Sequence, residues 1–567
     1  QRVAAALEIV SRRNASAGDD RDAVLLQFVE SDSGSAIAAV AHAYASTLHP
    51  AVDAEWDDAT DALNAAQNLS QICANLVTLH WARPKLETNV IAQPAALVEL
   101  LMALSRDPRY TVSSLALTSW ASLIKHSALC RVPAVAASFS ALTESTTEGL
   151  FQVCRAAHLL AGAQTDSAGI DEAESDQFDS PAELRLFLNS VVRMRMLNII
   201  RGMCALDPAG FVQWIMPSLL PVFSQVPSGP VDVGRMSVVE AAFMIVDSIL
   251  TTLDETEQRA LENGSEDAMD QIQKARGPCY QLGQQIVQLA SDDTQLLGRQ
   301  LQTLPSFTFL LRPAAMEWTE ARELLLAVLQ RCATCLKFPL NAPNVRDLRQ
   351  VARRATAALV RIAVAIPDSL MLVYADLQQL VQDRLSDPEV VGTVKSHLTE
   401  FQLALIAGAS CTLAQRRELA RPVIQPLIDE LCEYLPHLQS PADFIVLLGL
   451  PALDQACVQG VESPHAAMDE ARVRRNGLSH VLSTLFICLN RTLGDQGTSE
   501  HSLAPLWSDY VGDVVPVLLL TIRSLHALWN PEHWQGLPWQ SAQARSNLFG
   551  LLEMSPAERQ SIAGAAG

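Results

Sequence analysis

Five arginines crowd one short stretch of this chain: Arg346, Arg349, Arg353, Arg354 and Arg361. On a helix, which turns about 100° per residue, they fall within an arc of about 140°. Val345, Leu348, Val351, Ala355, Leu359 and Ile362 then fill the opposite side. Guanidinium groups are planar forks for oxyanions, so a row of them offers a hold on phosphates or carboxylates. Four of them on RNA phosphates would give a salt slope of roughly −3 to −4. A solvated face paired with neighbours such as Asp347 uses the same residues, and both readings stay open.

The opposite charge gathers between Gln164 and Glu183. Asp166, Asp171, Glu172, Glu174, Asp176, Asp179 and Glu183 stand there with no basic residue. Such a run is either a solvated linker or a contact for a basic surface. Ser180-Pro181 closes it and starts a helix. A second acidic stretch, Glu255 to Glu266, holds Asn263-Gly264, and a less charged loop surrounds Gly460–His465. Cys332 and Cys335 form a lone CxxC in an apolar helical pattern. Zinc takes four ligands, and no second CxxC or suitably spaced His pair follows, so two core thiols are expected rather than a metal site. No phosphate-cradling loop, G-x-S-x-G elbow, H-E-x-x-H helix or dinucleotide fingerprint occurs. The sequence therefore assigns no catalytic, cofactor-binding or metal-binding residue, and no enzyme is expected.

The elements that carry these residues are helices. Ala and Leu dominate, aromatics are 5%, and β-branched residues are interspersed rather than alternating, a mixture that costs a helix little entropy. Leu69, Ile72, Cys73, Leu76, Val77 and His80 recur at helical spacing; so do Val112, Leu115, Ala116, Trp120, Leu123 and Ile124. A third stripe joins Val514, Val517, Leu518, Thr521, Ile522, Leu525 and Trp529. Each is one apolar helix face. Asp107-Pro108, Asp207-Pro208, Pro367-Asp368 and Asp387-Pro388 separate successive helices, as Pro in a first turn does. Helices of roughly 12–22 residues joined this way form antiparallel pairs, and many pairs form an all-α solenoid. No consensus residue recurs, which favours HEAT-type units over tetratricopeptide or ankyrin repeats.

A net charge of −21 disfavours non-specific adhesion to nucleic acid or membrane. The longest apolar runs, Phe444–Leu450 and Val514–Leu520, are far short of the roughly 20 residues of a spanning helix. No membrane insertion is expected. Most of the eleven cysteines, such as Cys73, Cys154, Cys204, Cys432 and Cys488, lie in apolar helical patterns, as reduced core thiols do. The expected organisation is helical repeats over 1–163, an acidic inter-repeat loop over 164–183 and further repeats over 184–567, with the chain cut at both ends.

Several segments carry a resemblance. Pro108-Arg-Tyr-Thr-Val-Ser-Ser-Leu-Ala-Leu-Thr-Ser-Trp120-Ala-Ser-Leu-Ile-Lys-His126 is similar to a Trp-bearing helix of the exportin-5 branch of the importin-β (karyopherin) family. Asp176-Gln-Phe178-Asp179-Ser180 resembles that branch's acidic loop, and Ile200-Arg201 and Leu206-Asp207-Pro208 follow it in the same order. The helix from Asn344 to Arg354, then Ala527-Leu-Trp529-Asn-Pro531-Glu532, and Ala557 to Gly564 complete a collinear series from about residue 60 onward. The branch includes plant HASTY proteins and a fungal relative.

The resemblance implies an α-α superhelix, a HEAT-repeat solenoid of the ARM-repeat-like class. It implies a nuclear export receptor, a monomer that binds Ran-GTP and cargo cooperatively and passes the FG-repeat proteins of the nuclear pore. Such a receptor shuttles between nucleus and cytoplasm. Cargo in this branch is structured small RNA, tRNA or phosphoprotein, and the arginine row and the acidic loop are the contacts it suggests for cargo or Ran. The family's principal Ran-binding repeats lie N-terminal to the matching segments. An importin-like or bidirectional receptor, and a non-transport HEAT scaffold, are the alternatives.

Overall fold

A computed structural model describes residues 56–81, 95–162, 169–227, 229, 231–312, 318–338, 343–387, 390–448, 465–493 and 504–527. Asp166, Trp529, the segment Ala557–Gly564 and most of the loop at 460–465 lie outside the described residues. Among the described residues every regular element is helical. The chain divides into two compact units, Gln1–Val328 and Leu329–Gly567.

The first unit contains α1 (Trp56–Asn75), α2 (Ala95–Ser105), α3 (Tyr110–Lys125), α4 (Pro133–Ala161) and α5 (Pro181–Phe187). It continues with α6 (Arg193–Leu206), α7 (Pro208–Ser224), α8 (Val233–Asn263), α9 (Glu266–Gln288) and α10 (Thr294–Thr303). One row, α1, α3, α6, α8 and α10, packs each helix on the next; α2, α4, α7 and α9 back it. The predicted stripes turn inward. Cys73 and Val77 are buried with Leu63 and Ala66, and Val112, Ala116, Trp120, Leu123 and Ile124 form the buried face of α3. Ser70 shares the α1 face because its Oγ donates to the Val112 carbonyl at 2.9 Å.

Helix starts follow the acidic signals. Asp207 accepts from the Gly210 N–H at 3.0 Å with Pro208 in the first turn of α7, and Asp232 caps α8 through the Arg235 N–H at 3.0 Å. Each such cap is worth about 1 kcal/mol. Asp107 differs. Its carboxylate turns to the Arg109 guanidinium at 2.6 Å, and the two form a buried pair at the turn before α3. Gly264, at φ +63°, ends α8 in the left-handed region, where glycine meets no Cβ penalty.

Helix α8 is the one described helix long and apolar enough to cross a membrane, yet 78% of its most apolar window is buried by its neighbours. Val239, Phe243, Val246, Ile249, Leu250 and Leu253 are almost fully enclosed. Each such side chain contributes about 1.5–3 kcal/mol before entropy is counted, so α8 is a core helix. Its polar edge carries Glu240, Asp247 and Asp254. These meet Arg299, Ser306 and Arg312 in turn. Both sets ascend together, so α8 and the stretch through α10 and the 3-10 turn Leu304–Leu311 run parallel. Helix α6 approaches α3 closely at Gly202, where a Cβ would stand 2.4 Å from Ile124 Cγ2.

In the second unit, α11 (Trp318–Thr334) carries the boundary. It is followed by α12 (Val345–Ala365), α13 (Tyr374–Ser386), α14 (Gly392–Gly408), α15 (Leu413–Glu433), α16 (Pro441–Leu447), α17 (His465–Leu493) and α18 (Val511–Ala527). Helices α12, α14 and α17 pack in series, and α15 packs against α17 and α18. Ile428, Leu431, Phe444, Val481, Leu485 and Val517 belong to one core cluster. A capping box, Thr412 with Gln415, opens α15. Helix α18 is rotated from its predicted stripe. Val514, Val517, Thr521 and Ser524 are buried, whereas Ile522 and Leu525 are 52% and 47% exposed. The Ser524 hydroxyl donates to the Leu438 carbonyl at 3.2 Å, so a polar contact helps set the face that the apolar pattern misplaced. Each unit is an all-α array of helix pairs of the HEAT-repeat kind, as expected.

Candidate interaction surfaces

The arginine row lies on α12 as its spacing predicts. Val351, Ala355, Leu359 and Ile362 are buried on one side, and Arg346, Arg349, Arg353 and Arg361 are exposed on the other. Arg354 is half-buried, and it and Arg361 are already engaged with neighbours. Among the described residues no ion pair or side-chain hydrogen bond holds Arg346, Arg349 or Arg353, and Asp347 does not pair with them. At 1.5 Å per residue the three span about 10 Å of helix. The row is therefore three unsatisfied forks.

The acidic stretch is more than a solvated linker. Residues Glu172–Ser175 form a single helical turn, capped by Asp171 Oδ1 through the Glu174 N–H at 3.2 Å. Glu174 itself is fully buried. One of its carboxylate oxygens accepts from the Thr111 N–H at 2.5 Å, in the first turn of α3, where the helix dipole favours negative charge. Burial pushes the Glu174 carboxyl up, and the Thr111 N–H opposes that. Tyr110 beside it is pushed up to about 12 by burial and by the Glu174 charge. Gln177 accepts from Gln67 of α1 at 2.8 Å, and the Phe178 and Phe187 rings lie 5.3 Å apart. The loop is thus docked on α1 and α3. Glu174 is taken up by the fold, while Glu172, Asp176 and Asp179 face solvent. Nothing in the run of acidic residues marks Glu174 as the inward one, since its neighbours carry the same charge.

Cys332 is buried and Cys335 half-buried, and burial pushes both thiols up, keeping them protonated and inert. No group of three or more metal-ligating side chains occurs among the described residues. Sequence reading also passed over Glu240, which His158 Nε2 approaches at 2.5 Å, Arg193 at 3.3 Å, and Arg299 closely. One carboxylate thus ties α4, α6, α8 and α10 together. Its signal was available: a lone acid inside the apolar run Val238-Val239-Glu240-Ala241-Ala242 must be paired to be buried. Glu400 of α14 repeats the device with His397 at 3.0 Å and Arg491 at 2.8 Å.

A sequence model of the Exportin-5 family matches residues 60–566. The chain belongs to the Exportin-5 family. Exportin-5 of Dictyostelium discoideum is 25% identical over 270 residues, which is 44% of this chain and 23% of that protein. An uncharacterized protein of Schizosaccharomyces pombe is 21% identical over 274 residues, 45% of this chain and 22% of its own length. The matched stretch thus spans less than a quarter of either relative. Among solved structures, yeast importin-β (Kap95p) pairs with 79% of this chain and 50% of its own at 12% identity and a TM-score of 0.26. A Kap95:Nup1 complex gives the same coverage and identity at 0.25. Likeness this low adds nothing to the fold already read from the helices. Family membership rests on the sequence match.

Proposed function

We propose that this chain is part of a nuclear export receptor that binds Ran-GTP and an anionic cargo cooperatively, with α12 as a cargo or Ran contact. The observation that carries the proposal is the face of Arg346, Arg349 and Arg353, exposed and without carboxylate partners among the described residues, on a chain of net charge −21 from the Exportin-5 family. In an acidic protein, unneutralised guanidinium groups are placed for an external oxyanion. Structured RNA, tRNA and phosphoprotein all present one. Glu172, Asp176 and Asp179, held in place by the buried Glu174, offer the complementary contact for a basic surface. An array of helix pairs suits such work, because many small interfaces let it wrap a folded partner. Shuttling between nucleus and cytoplasm and passage through FG-repeat pore proteins belong to the same reading. The chemistry of GTP hydrolysis resides in Ran, not in this chain.

Export requires that Ran-GTP and cargo each tighten the other's binding. The test uses the full-length receptor with Ran-GTP and Ran-GDP, with and without nuclear extract. The expected result is Ran-GTP binding strengthened by extract, the co-retained material naming the cargo. Weakening by extract would instead indicate an importin, and indifference to nucleotide a scaffold. Reversing charge at Arg349 and Arg353 together is expected to weaken cargo or Ran binding by more than about tenfold with melting unchanged. If the cargo is RNA, the three free arginines contribute about −2 to −3 to its salt slope. Unchanged affinity in the double variant would remove α12 from the contact surface.

A further inference from the structure

A second surface lies within the first unit, away from α12. Helices α1 and α3 and the continuous helix formed by α5, the π turn Leu188–Val192 and α6 line an open surface cavity of about 370 Å³. Arg195 is the only charged side chain among the described residues that line it. It is half-buried, and among the described residues it has no carboxylate within ion-pair distance and no hydrogen bond. Two residues away, Arg193 is answered by Glu240. Burial pulls the Arg195 guanidinium below its usual range, and no charge among the described residues offsets that cost. A partly desolvated cation left without an anion marks a place where the anion comes from outside.

The rest of the wall specifies what kind of anion. Asn68, on α1, has no side-chain partner among the described residues, so its carboxamide offers both a donor and an acceptor, the pair a peptide backbone requires. Leu115, Val191 and Phe187 supply apolar surface, and the Phe187 ring is steadied by Phe178. Val191 sits in the π turn, a distortion that recurs at functional sites. The docked acidic turn stands beside the cavity, since Gln67 of its wall bonds Gln177. A nucleic-acid strand, charged at every residue, would have to pass Glu172, Asp176 and Asp179, whereas one carboxylate needs only Arg195. We propose that this cavity binds a short segment of a partner protein in which an Asp or Glu carboxylate sits beside an apolar side chain. Arg195 clasps the carboxylate, Asn68 pairs with the peptide backbone, and Phe187 with Leu115 holds the apolar neighbour. The proposal does not rest on the transport reading.

The probe is a fluorescein-labelled pentapeptide with a central glutamate between two leucines, blocked at both ends, and a twin with glutamine at the centre. Anisotropy titration against the whole chain is expected to show saturable binding of the glutamate peptide. The glutamine twin should bind at least about tenfold more weakly, as should the glutamate peptide to Arg195→Gln. Asn68→Asp, which sets a carboxylate in the wall without touching Arg195 itself, is expected to weaken binding similarly and keeps the test decisive if Arg195→Gln folds poorly. Equal binding of the two peptides, unchanged binding in the two variants, or no saturable binding would overturn the proposal. So would displacement of the peptide by a single-stranded oligonucleotide of equal length at lower concentration than by unlabelled peptide.

Discussion

At Glu240, burial and charge pull in opposite directions. Burial alone would raise its carboxyl pKa, but the hydrogen bond with His158 and the charges of Arg299 and Arg193 hold it below its ordinary 4.5. A group depressed in the folded state contributes stability above its unfolded pKa and loses it as pH falls through the lower folded value. Glu240→Gln leaves the arginines around a neutral amide. It is expected to destabilise the protein by about 1–3 kcal/mol at pH 7, less than a fully buried pair because Arg299 is partly exposed. Melting curves at pH 7 and below pH 4.5 test this, since the gap to wild type should narrow in acid. Glu174 has the opposite sign. Its folded pKa is raised, so its contribution becomes more favourable as pH falls from neutral through that value. Glu174→Gln keeps an acceptor for the Thr111 N–H and is expected to be neutral or mildly stabilising at pH 7. Glu174→Ala removes the acceptor and should speed hydrogen exchange across residues 171–183. Equal exchange in both variants would deny the loop its anchor. The run of acids was legible from sequence; which of them turns inward was not, because a buried carboxylate and a solvated one have the same letter.

Helices were read from their periodicity, and the faces of α3 and α12 were read with them. On α1 and the turn after it, by contrast, Leu69, Ile72 and Leu76 are half-buried beside a buried face of Leu63, Ala66, Ser70, Cys73 and Val77. What the letters did not disclose was rotation and spacing set by neighbours. On α18, Ser524 is buried and Ile522 is not, because the partner Leu438 carbonyl decides the polar contact. At Gly202 the spacing between α6 and α3 depends on an absent side chain. Gly202→Ala raises intrinsic helix propensity by about 1 kcal/mol, yet its Cβ would strike Ile124 at 2.4 Å. Overpacking of that kind costs about 1–3 kcal/mol, so the variant is expected to be neutral to destabilising by about 2 kcal/mol. Pairing it with Ile124→Val, which trims the opposing side chain, should recover part of the loss. A melting temperature above wild type for the single variant would show that the α3–α6 contact yields freely.

For the chain as a whole, an all-α repeat class was legible because no segment alternates and turn signals recur. The partition at Val328/Leu329 was not, since it falls inside α11 with no change in composition. Two units, each with its own core, are expected to unfold in more than one step. Calorimetry should give a calorimetric enthalpy larger than the van't Hoff value, and proteolysis should release fragments from one unit while the other persists. A single transition with equal enthalpies would show that the units cooperate fully. Glu240 in one unit and Glu400 in the other are both depressed. Acid below about pH 4.5 should therefore weaken each, and Glu400→Gln should leave the acid sensitivity of the first unit unchanged.

The carboxylates of α8 meet Arg299, Ser306 and Arg312 in step, one every second helical turn. Mechanically this is a splint. A bend between α8 and the α10 stretch must part these contacts together with the second pairing of Arg312, to Glu257, and a slide by one turn forfeits the Arg299 and Ser306 contacts. Springiness in the first unit is thus expelled from this seam towards junctions with fewer polar fastenings, such as α1 with α3. If the array coils tighter around a partner, this seam travels as a stiff plate and the curvature is taken up on either side of it.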